Sequence, residues 1–194
     1  MTLIIVTGMP GTGSSTVINE ALKLRNESGA VESEFKPKNY GDVMFETAIE
    51  KGQVKNRDEM RKLSVEKQRE IQMHACDKIA VWRESMDLII DTHCTIKTPR
   101  GYFPGLPEYV LRKLNPDLLV LIEATPEEIF ERRQKDKTRK RDAEAKSDIE
   151  EHQFMNRAMS MAYSCLTGAA VKIIGNHDGE LKNAADEFVK LLDV

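Results

Sequence analysis

The sequence has few cysteines, and they lie far apart. Cys76, Cys94 and Cys165 are scattered over a chain of 194 residues, whereas a disulfide framework or a zinc site requires cysteines at paired, short spacings. The sequence therefore argues against small disulfide-bonded domains and against zinc or iron–sulfur centres. We expect free thiols and a reduced, cytoplasmic setting.

Long apolar runs are also absent, and neither sign of charge dominates. The longest apolar runs have only a few residues and no basic leader precedes the first of them, so we expect neither a membrane-spanning helix nor a signal peptide. With 29 Lys and Arg residues against 32 Asp and Glu residues, the formal charge is -3. Such a balance gives no overall attraction for nucleic acids or membranes. We therefore expect neither as a partner.

Extended, apolar segments alternate with helical patterns along the whole chain. Strands are predicted at 3–6, 31–39, 87–93, 117–123 and 170–175. Helices are predicted at 14–26, 42–51, 57–63, 65–84, 107–114, 125–135, 147–167 and 180–192. This alternation is typical of an α/β fold in which a doubly wound, five-stranded parallel sheet is flanked by helices. The length fits one such domain, spanning 1–194.

Two segments lack a clear strand or helix pattern. Residues 97–107 contain two glycines and three prolines, a composition that predicts a structured loop at the carboxyl edge of the sheet. Residues 135–146 are rich in both signs of charge and have no apolar face, which predicts a solvated segment.

A glycine-rich turn follows the first predicted strand and opens a helical pattern. Compared with the P-loop pattern G-x-x-x-x-G-K-[ST], Gly8 and Gly13 occupy the glycine positions, and Ser14 stands where lysine is usual. Backbone N–H groups and the helix dipole supply most of such a phosphate site; the alternative is a plain strand-to-helix connection. The residues predicted to bind nucleotide phosphates are Gly8, Met9, Pro10, Gly11, Thr12, Gly13, Ser14, Ser15 and Thr16.

Two oxygen-bearing side chains are candidates for binding Mg²⁺. Ser15 occupies the position of the P-loop hydroxyl that binds this ion, and Asp91 ends an apolar strand, from where a carboxylate can hold Mg²⁺ or its waters. The alternative for Asp91 is a residue that only caps its strand.

Arginines are the candidates to replace the missing lysine. Planar guanidinium groups suit phosphate oxygens, and Arg132, Arg139 and Arg141 lie in one charged stretch, with Arg157 on the long helix that follows. A solvated helix face is the alternative for this stretch. We predict that these four arginines neutralise phosphate charge during catalysis.

Besides Asp91, five further residues are candidates for binding a second substrate. Arg57 and Arg61 are four residues apart, so on a helix they share a face that can clamp one anionic group. Lys97, Arg100 and His93 follow the third predicted strand. Surface solvation explains the basic residues equally well, and a hydrogen-bonded structural role explains the histidine at least as well.

A set of motifs identifies the sequence more specifically than the phosphate loop does. The motifs lie at 40–44, 57–63, 91–93, 97–102, 105–107, 138–142 and 152–157. Together they resemble the archaeal-type adenylate kinases, a branch of the nucleoside monophosphate kinases of the P-loop class. The resemblance covers nearly the whole chain.

The resemblance implies a reaction and a division of the chain. It implies that the protein catalyses ATP + AMP ⇌ 2 ADP with Mg²⁺, with an AMP-binding insertion at about 40–64 and a lid at about 136–147. Arg57 and Arg61 are then expected near the monophosphate, with Arg139 and Arg141 approaching the phosphates. The loop 176–179 is expected to hold the adenine of ATP through backbone groups. The archaeal members of this family look trimeric. The resemblance therefore implies a homotrimer with a subunit contact through the methionine-rich helix at 147–167.

The sequence departs from the wider family at two positions. Ser14 replaces the usual lysine, and Phe45 stands near a point where many bacterial and eukaryotic relatives have an arginine. Two alternatives follow: a kinase for another monophosphate such as CMP or UMP, and a regulatory protein that binds nucleotides but transfers phosphate weakly.

Overall fold

The computed structural model describes residues 1–29, 34–60, 62–135 and 145–193. The strands are β1 (Leu3–Gly8), β2 (Phe35–Asn39), β3 (Asp87–Thr92), β4 (Thr95–Thr98), β5 (Gly101–Pro104), β6 (Leu118–Glu123) and β7 (Ala170–Gly175). The helices are α1 (Ser14–Glu27), α2 (Tyr40–Glu50), α3 (Arg57–Met60), α4 (Val65–Arg83), α5 (Glu108–Leu114), α6 (Pro126–Lys135), α7 (Lys146–Thr167) and α8 (Leu181–Leu192).

Five of the strands form one parallel sheet in the order β2-β3-β1-β6-β7. The predicted α/β fold with a five-stranded parallel sheet is confirmed. In the centre of the sheet, Val6 pairs with Asp91 of β3, and Gly8 pairs with Ile122 of β6. Because parallel strands end at the same edge, the last residues of β1, β3 and β6 lie side by side. Ligands of such sheets bind at this carboxyl edge.

The core has two layers, one on each face of the sheet. Alternate residues of β1 point to opposite faces: Leu3 and Ile5 pack in the cluster that contains Ile79 of α4, while Ile4 packs in the cluster that contains Phe188 of α8. All six residues of β1 are buried. Because helices cover both faces, the central strands need apolar residues throughout rather than an alternating pattern.

The prediction that 97–107 is a structured loop without strands was wrong. Strands β4 and β5 pair antiparallel, with Thr98 opposite Gly101, so Pro99 and Arg100 form a two-residue connection of a hairpin. Proline and glycine mark this tight turn and its flanks rather than a whole irregular segment. Gly101 takes φ 111° just after the turn, a conformation that favours glycine.

The predicted helices are present with small shifts at their ends. The helix predicted from residue 42 begins at Tyr40, because Asn39 is the N-cap and its side chain accepts a hydrogen bond from the Asp42 N–H at 3.2 Å. The helix predicted at 57–63 is described only as Arg57–Met60, and Arg61 lies outside the described residues. No helix in the described ranges is long and apolar enough to cross a membrane.

All three cysteines are free thiols. Cys76 and Cys94 are buried, and burial raises the pKa of each thiol to about 11. Both therefore stay protonated and unreactive near neutral pH. Cys165 is exposed on α7.

Candidate active site

The phosphate loop, residues 8–16, joins β1 to α1 at the carboxyl edge of the sheet. Gly13 is the N-cap of α1 with φ 80° and ψ 29°, and Gly11 has φ 103°. Since a glycine cap has no side-chain acceptor, the first N–H groups of α1 are left to bind an anion. The positive end of the helix dipole favours the same ligand.

Hydrogen bonds from inside and outside the loop bind its carbonyl oxygens. The Thr12 N–H and hydroxyl donate to Met9 O at 3.1 and 3.0 Å. From outside, Arg133 Nε donates to Pro10 O at 2.6 Å, and Asn176 Nδ2 donates to Thr12 O at 2.7 Å. These donors occupy oxygens that would otherwise repel a phosphate.

The predicted pair of Ser15 and Asp91 is brought together by the register of β1 and β3. Ser15 Oγ donates to Asp91 Oδ2 at 2.5 Å, and Ser14 Oγ donates to Oδ1 at 3.0 Å. Thus Ser14, at the lysine position, contacts the carboxylate of Asp91, the next-to-last residue of β3. A lysine side chain at this position would be long enough to extend past the Asp91 carboxylate, whereas the serine side chain is too short to do so.

The oxygen donors at this point fit a magnesium ion that arrives with a nucleotide. Among the residues that the structure describes, no group of three or more His, Cys, Asp or Glu side chains could hold a metal. Mg²⁺ keeps several waters and needs only one or two carboxylates beside the substrate phosphates. The Asp91 carboxylate and the Ser15 hydroxyl, which already share one hydrogen bond, meet that need.

His93 lies at the start of the phosphate loop. Its Nδ1 is 3.4 Å from Gly8 O, and the residue is exposed. The predicted candidate is therefore beside the loop, where it contacts the backbone.

Arg157 is paired with a buried carboxylate at the same edge of the sheet. Its Nε donates to both oxygens of Glu123, at 2.8 and 3.1 Å, and its Nη2 donates to Oε2 at 2.5 Å. The Glu123 side chain is 9% exposed, against 58% for Arg157. Hydrogen bonding to Glu123 and its charge raise the pKa of Arg157. The contacts use one side of the guanidinium, so within the described part of the chain Nη1 keeps its two N–H donors.

Arg132, predicted to supply charge to phosphates, is directed at protein acceptors. Its Nε and Nη2 donate to Asp178 Oδ1 at 2.8 and 2.6 Å, and Nη2 also donates to Asn176 O at 2.9 Å. Its Nη1 is 3.4 Å from the carbonyl oxygens of Gly11 and Thr12. The guanidinium therefore joins the phosphate loop to the loop 176–179.

Glu128 holds the same loop from the start of α6. Its Oε1 accepts a hydrogen bond from the Asp178 N–H at 2.7 Å, and its Oε2 lies 3.0 Å from His177 Nδ1. Oε2 also accepts from the Thr125 N–H at 2.8 Å. Desolvation raises the pKa of Glu128, but the bonds from Asp178, His177 and Thr125 outweigh it and lower that pKa to about 2.

Replacing Glu128 with Gln is expected to lower the free energy of unfolding most near neutral pH. A carboxyl whose pKa falls from 4.5 to about 2 on folding contributes stability that is present above its unfolded pKa and is lost as the pH falls toward its folded pKa. Urea unfolding at about pH 7, 4 and 3 measures the difference between the two proteins. We expect that difference to shrink below pH 4.5.

Glu131→Gln is the matched control, since Glu131 lies on the same helix with its side chain 61% exposed. A difference between Glu128→Gln and the unmodified protein that stays constant across this pH range would contradict the assigned hydrogen bonds.

Three predicted substrate residues do not contact the phosphate loop within the described structure. Arg57 Nη2 donates to Asp42 Oδ1 at 2.6 Å, and Lys97 Nζ donates to Asp148 Oδ1 at 3.1 Å. Arg100 lies exposed in the turn of the hairpin. The predicted residues Arg61, Arg139 and Arg141, and the lid from 136 to 144, lie outside the described residues.

Sequence reasoning missed Glu123 and the Asn176 side chain as parts of the site. Glu123 is the last residue of β6 and Asp91 the next-to-last residue of β3, so the signal of a carboxylate near the end of an apolar strand was available for both. For Asn176, the sequence shows only a polar residue after a strand, because its partner Thr12 is 164 residues away.

Comparison with known proteins shows the family. The chain is 50% identical over 193 residues to an adenylate kinase of Methanothermobacter thermautotrophicus, with 100% of both chains covered. It is 54% identical over 190 residues to an adenylate kinase of Methanopyrus kandleri, with 97% of this chain and 96% of the relative covered. The chain belongs to the archaeal adenylate kinase family. The prediction of a nucleoside monophosphate kinase of this family is thereby confirmed.

Two further findings agree with this family. A family model described as an AAA domain matches residues 7–150, so the chain also belongs to that family, and the match includes the whole phosphate loop. A crystal structure of shikimate kinase from Bacteroides thetaiotaomicron superposes with a TM-score of 0.52 at 14% identity, covering 100% of this chain and 99% of the other. At that identity the likeness concerns the fold.

Proposed function

We propose that this chain transfers the terminal phosphoryl group of Mg-ATP to AMP, and that the residues described above carry out the transfer. The observation that carries the proposal is the meeting, at one sheet edge, of the phosphate loop, the Ser15–Asp91 pair and the Arg157–Glu123 pair. Such enzymes align two nucleotides and neutralise charge on the transferring group rather than form covalent bonds to it.

The ATP phosphates bind to the backbone N–H groups of residues 8–16 at the start of α1. This placement follows from the open glycine N-cap and from the helix dipole. Because Ser14 provides no positive charge, guanidinium groups take over that task. Arg157 is the described candidate, since Nη1 keeps two N–H donors while Glu123 fixes the other side of the fork. Arg139 and Arg141 of the lid are proposed to join it.

Ser15 and Asp91 would hold the magnesium ion of Mg-ATP. When bound, the ion supplies positive charge to the phosphates. Within the chain, the Asp91 carboxylate positions both serine hydroxyls at the first turn of α1.

The AMP site is proposed in the insertion at 40–64, with Arg57 and Arg61 near its phosphate and His93, Lys97 and Arg100 nearer the transfer point. In the described structure Arg57 is exposed, and its guanidinium lies 5.9 Å from the centre of the Phe45 ring. Arg57 therefore lies beside Phe45, near the point where many bacterial and eukaryotic relatives are expected to have an arginine.

Arg57→Ala is expected to raise the Michaelis constant for AMP by about tenfold to a hundredfold, because a hydrogen bond to a charged group contributes about 1.5–3 kcal/mol. The constant for ATP should stay unchanged. Steady-state kinetics with each substrate varied gives both values. Arg112→Ala is the matched control, since Arg112 is exposed and, within the described ranges, pairs with Glu108 four residues before it. An unchanged constant for AMP would remove Arg57 from the site.

A homotrimer is proposed with α7 at the subunit contact. Phe154 and Met161 lie seven residues apart on one face of α7, with exposures of 68% and 55%, and large apolar side chains in a stripe favour a partner surface.

Phe154→Glu combined with Met161→Glu is expected to give monomers in light scattering after size exclusion. Val81→Glu, at a residue 62% exposed on α4, should leave the assembly intact. A monomeric unmodified protein would refute the proposal.

The assignment of substrates is tested by a coupled assay with Mg-ATP and each of AMP, CMP, UMP and GMP. A clear preference for AMP supports the proposal. Preference for CMP or UMP would assign a different monophosphate. Tight binding of ATP without turnover would favour a nucleotide-binding regulatory protein.

A further inference from the structure

Two charged residues of α6 hold the loop 176–179 in place. Glu128 and Arg132 are four residues apart, so they share one face of the helix. Glu128 accepts from the Asp178 N–H, while Arg132 donates to the Asp178 carboxylate. One residue of the loop is therefore held through both its backbone and its side chain.

Arg132 also reaches the phosphate loop. Its hydrogen bonds go to Asp178 twice and once each to Asn176, Gly11 and Thr12. A guanidinium has five N–H donors in a fixed planar fork. The contacts match those donors in number, so the described geometry leaves this guanidinium no N–H group for a phosphate.

Asn176 makes a second connection between the two loops. It is 6% exposed, its N–H donates to Glu123 O at 2.7 Å, and its Nδ2 donates to Thr12 O at 2.7 Å. A Cβ atom at Gly13 would lie 2.7 Å from this Nδ2. The absence of a side chain at residue 13 is therefore what lets Asn176 approach the phosphate loop.

We propose that Arg132 is a positioning residue that couples the loop 176–179 to the phosphate loop, so that the base and the phosphates of ATP bind cooperatively. The proposal rests on the proposed function and on the expectation, implied by the resemblance, that the loop 176–179 holds the adenine of ATP. When one guanidinium fixes both loops, the site for the base is already ordered when the phosphates bind. Without Arg132, the loop 176–179 has to become ordered when ATP binds. This ordering lowers the affinity for ATP more than the affinity for a ligand that has no base.

The test compares Mg-ATP with magnesium tripolyphosphate by titration calorimetry on the whole chain. For Arg132→Ala we expect binding of Mg-ATP to weaken about tenfold and binding of tripolyphosphate to change by less than about twofold. The Michaelis constant for ATP should rise while that for AMP stays unchanged. Equal weakening of both ligands would make Arg132 a phosphate ligand and overturn the proposal. Unchanged binding of both would overturn it as well.

Two more variants keep the test decisive if Arg132→Ala does not fold. Arg132→Lys keeps the positive charge but cannot form the fork, so it should behave as Arg132→Ala does; a phosphate ligand would retain most of its affinity as lysine. Asp178→Asn should weaken the binding of Mg-ATP but not that of tripolyphosphate. In the Asp178→Asn background, Arg132→Lys should then weaken Mg-ATP binding less than it does in the unmodified protein. Additive effects would overturn the coupling. Failure of the proposed function is seen separately, as the absence of turnover with AMP in the unmodified protein.

Discussion

Arg157→Ala is expected to lower the turnover number with ATP and AMP by about 10³-fold, with little change in either Michaelis constant. The reason is that the loop lacks a lysine, and Arg157 is the described arginine that combines a fixed orientation with unused donors at the carboxyl edge. Charge on the transferring group is greatest in the transition state, so the loss falls on turnover rather than on binding. Initial rates at saturating substrate measure it.

The role of Glu123 supplies the controls for this result. Removing Arg157 leaves a carboxylate that is 9% exposed without its partner, which itself destabilises the fold. Combining Glu123→Gln with Arg157→Ala removes that charge, so a loss of turnover that persists in the stable double variant belongs to catalysis. The turnover number of Arg157→Lys should lie between those of Arg157→Ala and the unmodified protein, because lysine keeps the charge but not the planar fork of donors. Turnover within about tenfold of the unmodified protein would contradict the assignment.

Gly13→Ala is expected to abolish detectable ATP binding and to lower the melting temperature. Alanine at φ 80° is strained by about 1–2 kcal/mol. In addition, its Cβ would lie 2.7 Å from Asn176 Nδ2, which forces Asn176 away from Thr12 O and leaves buried polar groups unpaired. Titration calorimetry with Mg-ATP and thermal unfolding measure the two effects.

Gly168→Ala separates the backbone strain from the clash. Gly168 has φ 79°, and a Cβ there would meet nothing within 4 Å. This control should lose stability through strain alone and bind ATP normally. If Gly13→Ala also bound ATP normally, the phosphate loop would not depend on the approach of Asn176.

The sequence predicted those parts of the molecule that depend on local pattern. Apolar runs identified the strands, and the P-loop spacing together with a carboxylate at a strand end identified Ser15 and Asp91, which lie within hydrogen-bond distance. The hairpin at 95–104 was missed because proline and glycine were taken as signs of a loop, although here they surround a tight turn between two short strands.

The partners of the arginines could not be predicted in the same way. Arg132 and Asp178 are 46 residues apart, and Arg157 and Glu123 are 34 apart. Composition shows that such charges exist, but only the order of strands and helices decides which of them meet. The catalytic and substrate-binding roles of the arginines therefore stay predictions.

The position of β1 in the sheet has a consequence for how the protein folds during synthesis. Among the strands of this sheet β1 emerges first, yet its neighbours are β3 and β6, at Asp87–Thr92 and Leu118–Glu123. Pairings over such sequence distances form slowly, because a long stretch of chain must be closed before they contribute. Gly8, Asp91 and Glu123 come together only when all three strands have paired. A growing chain can therefore complete its nucleotide site only after β6, the last of these three strands, has emerged.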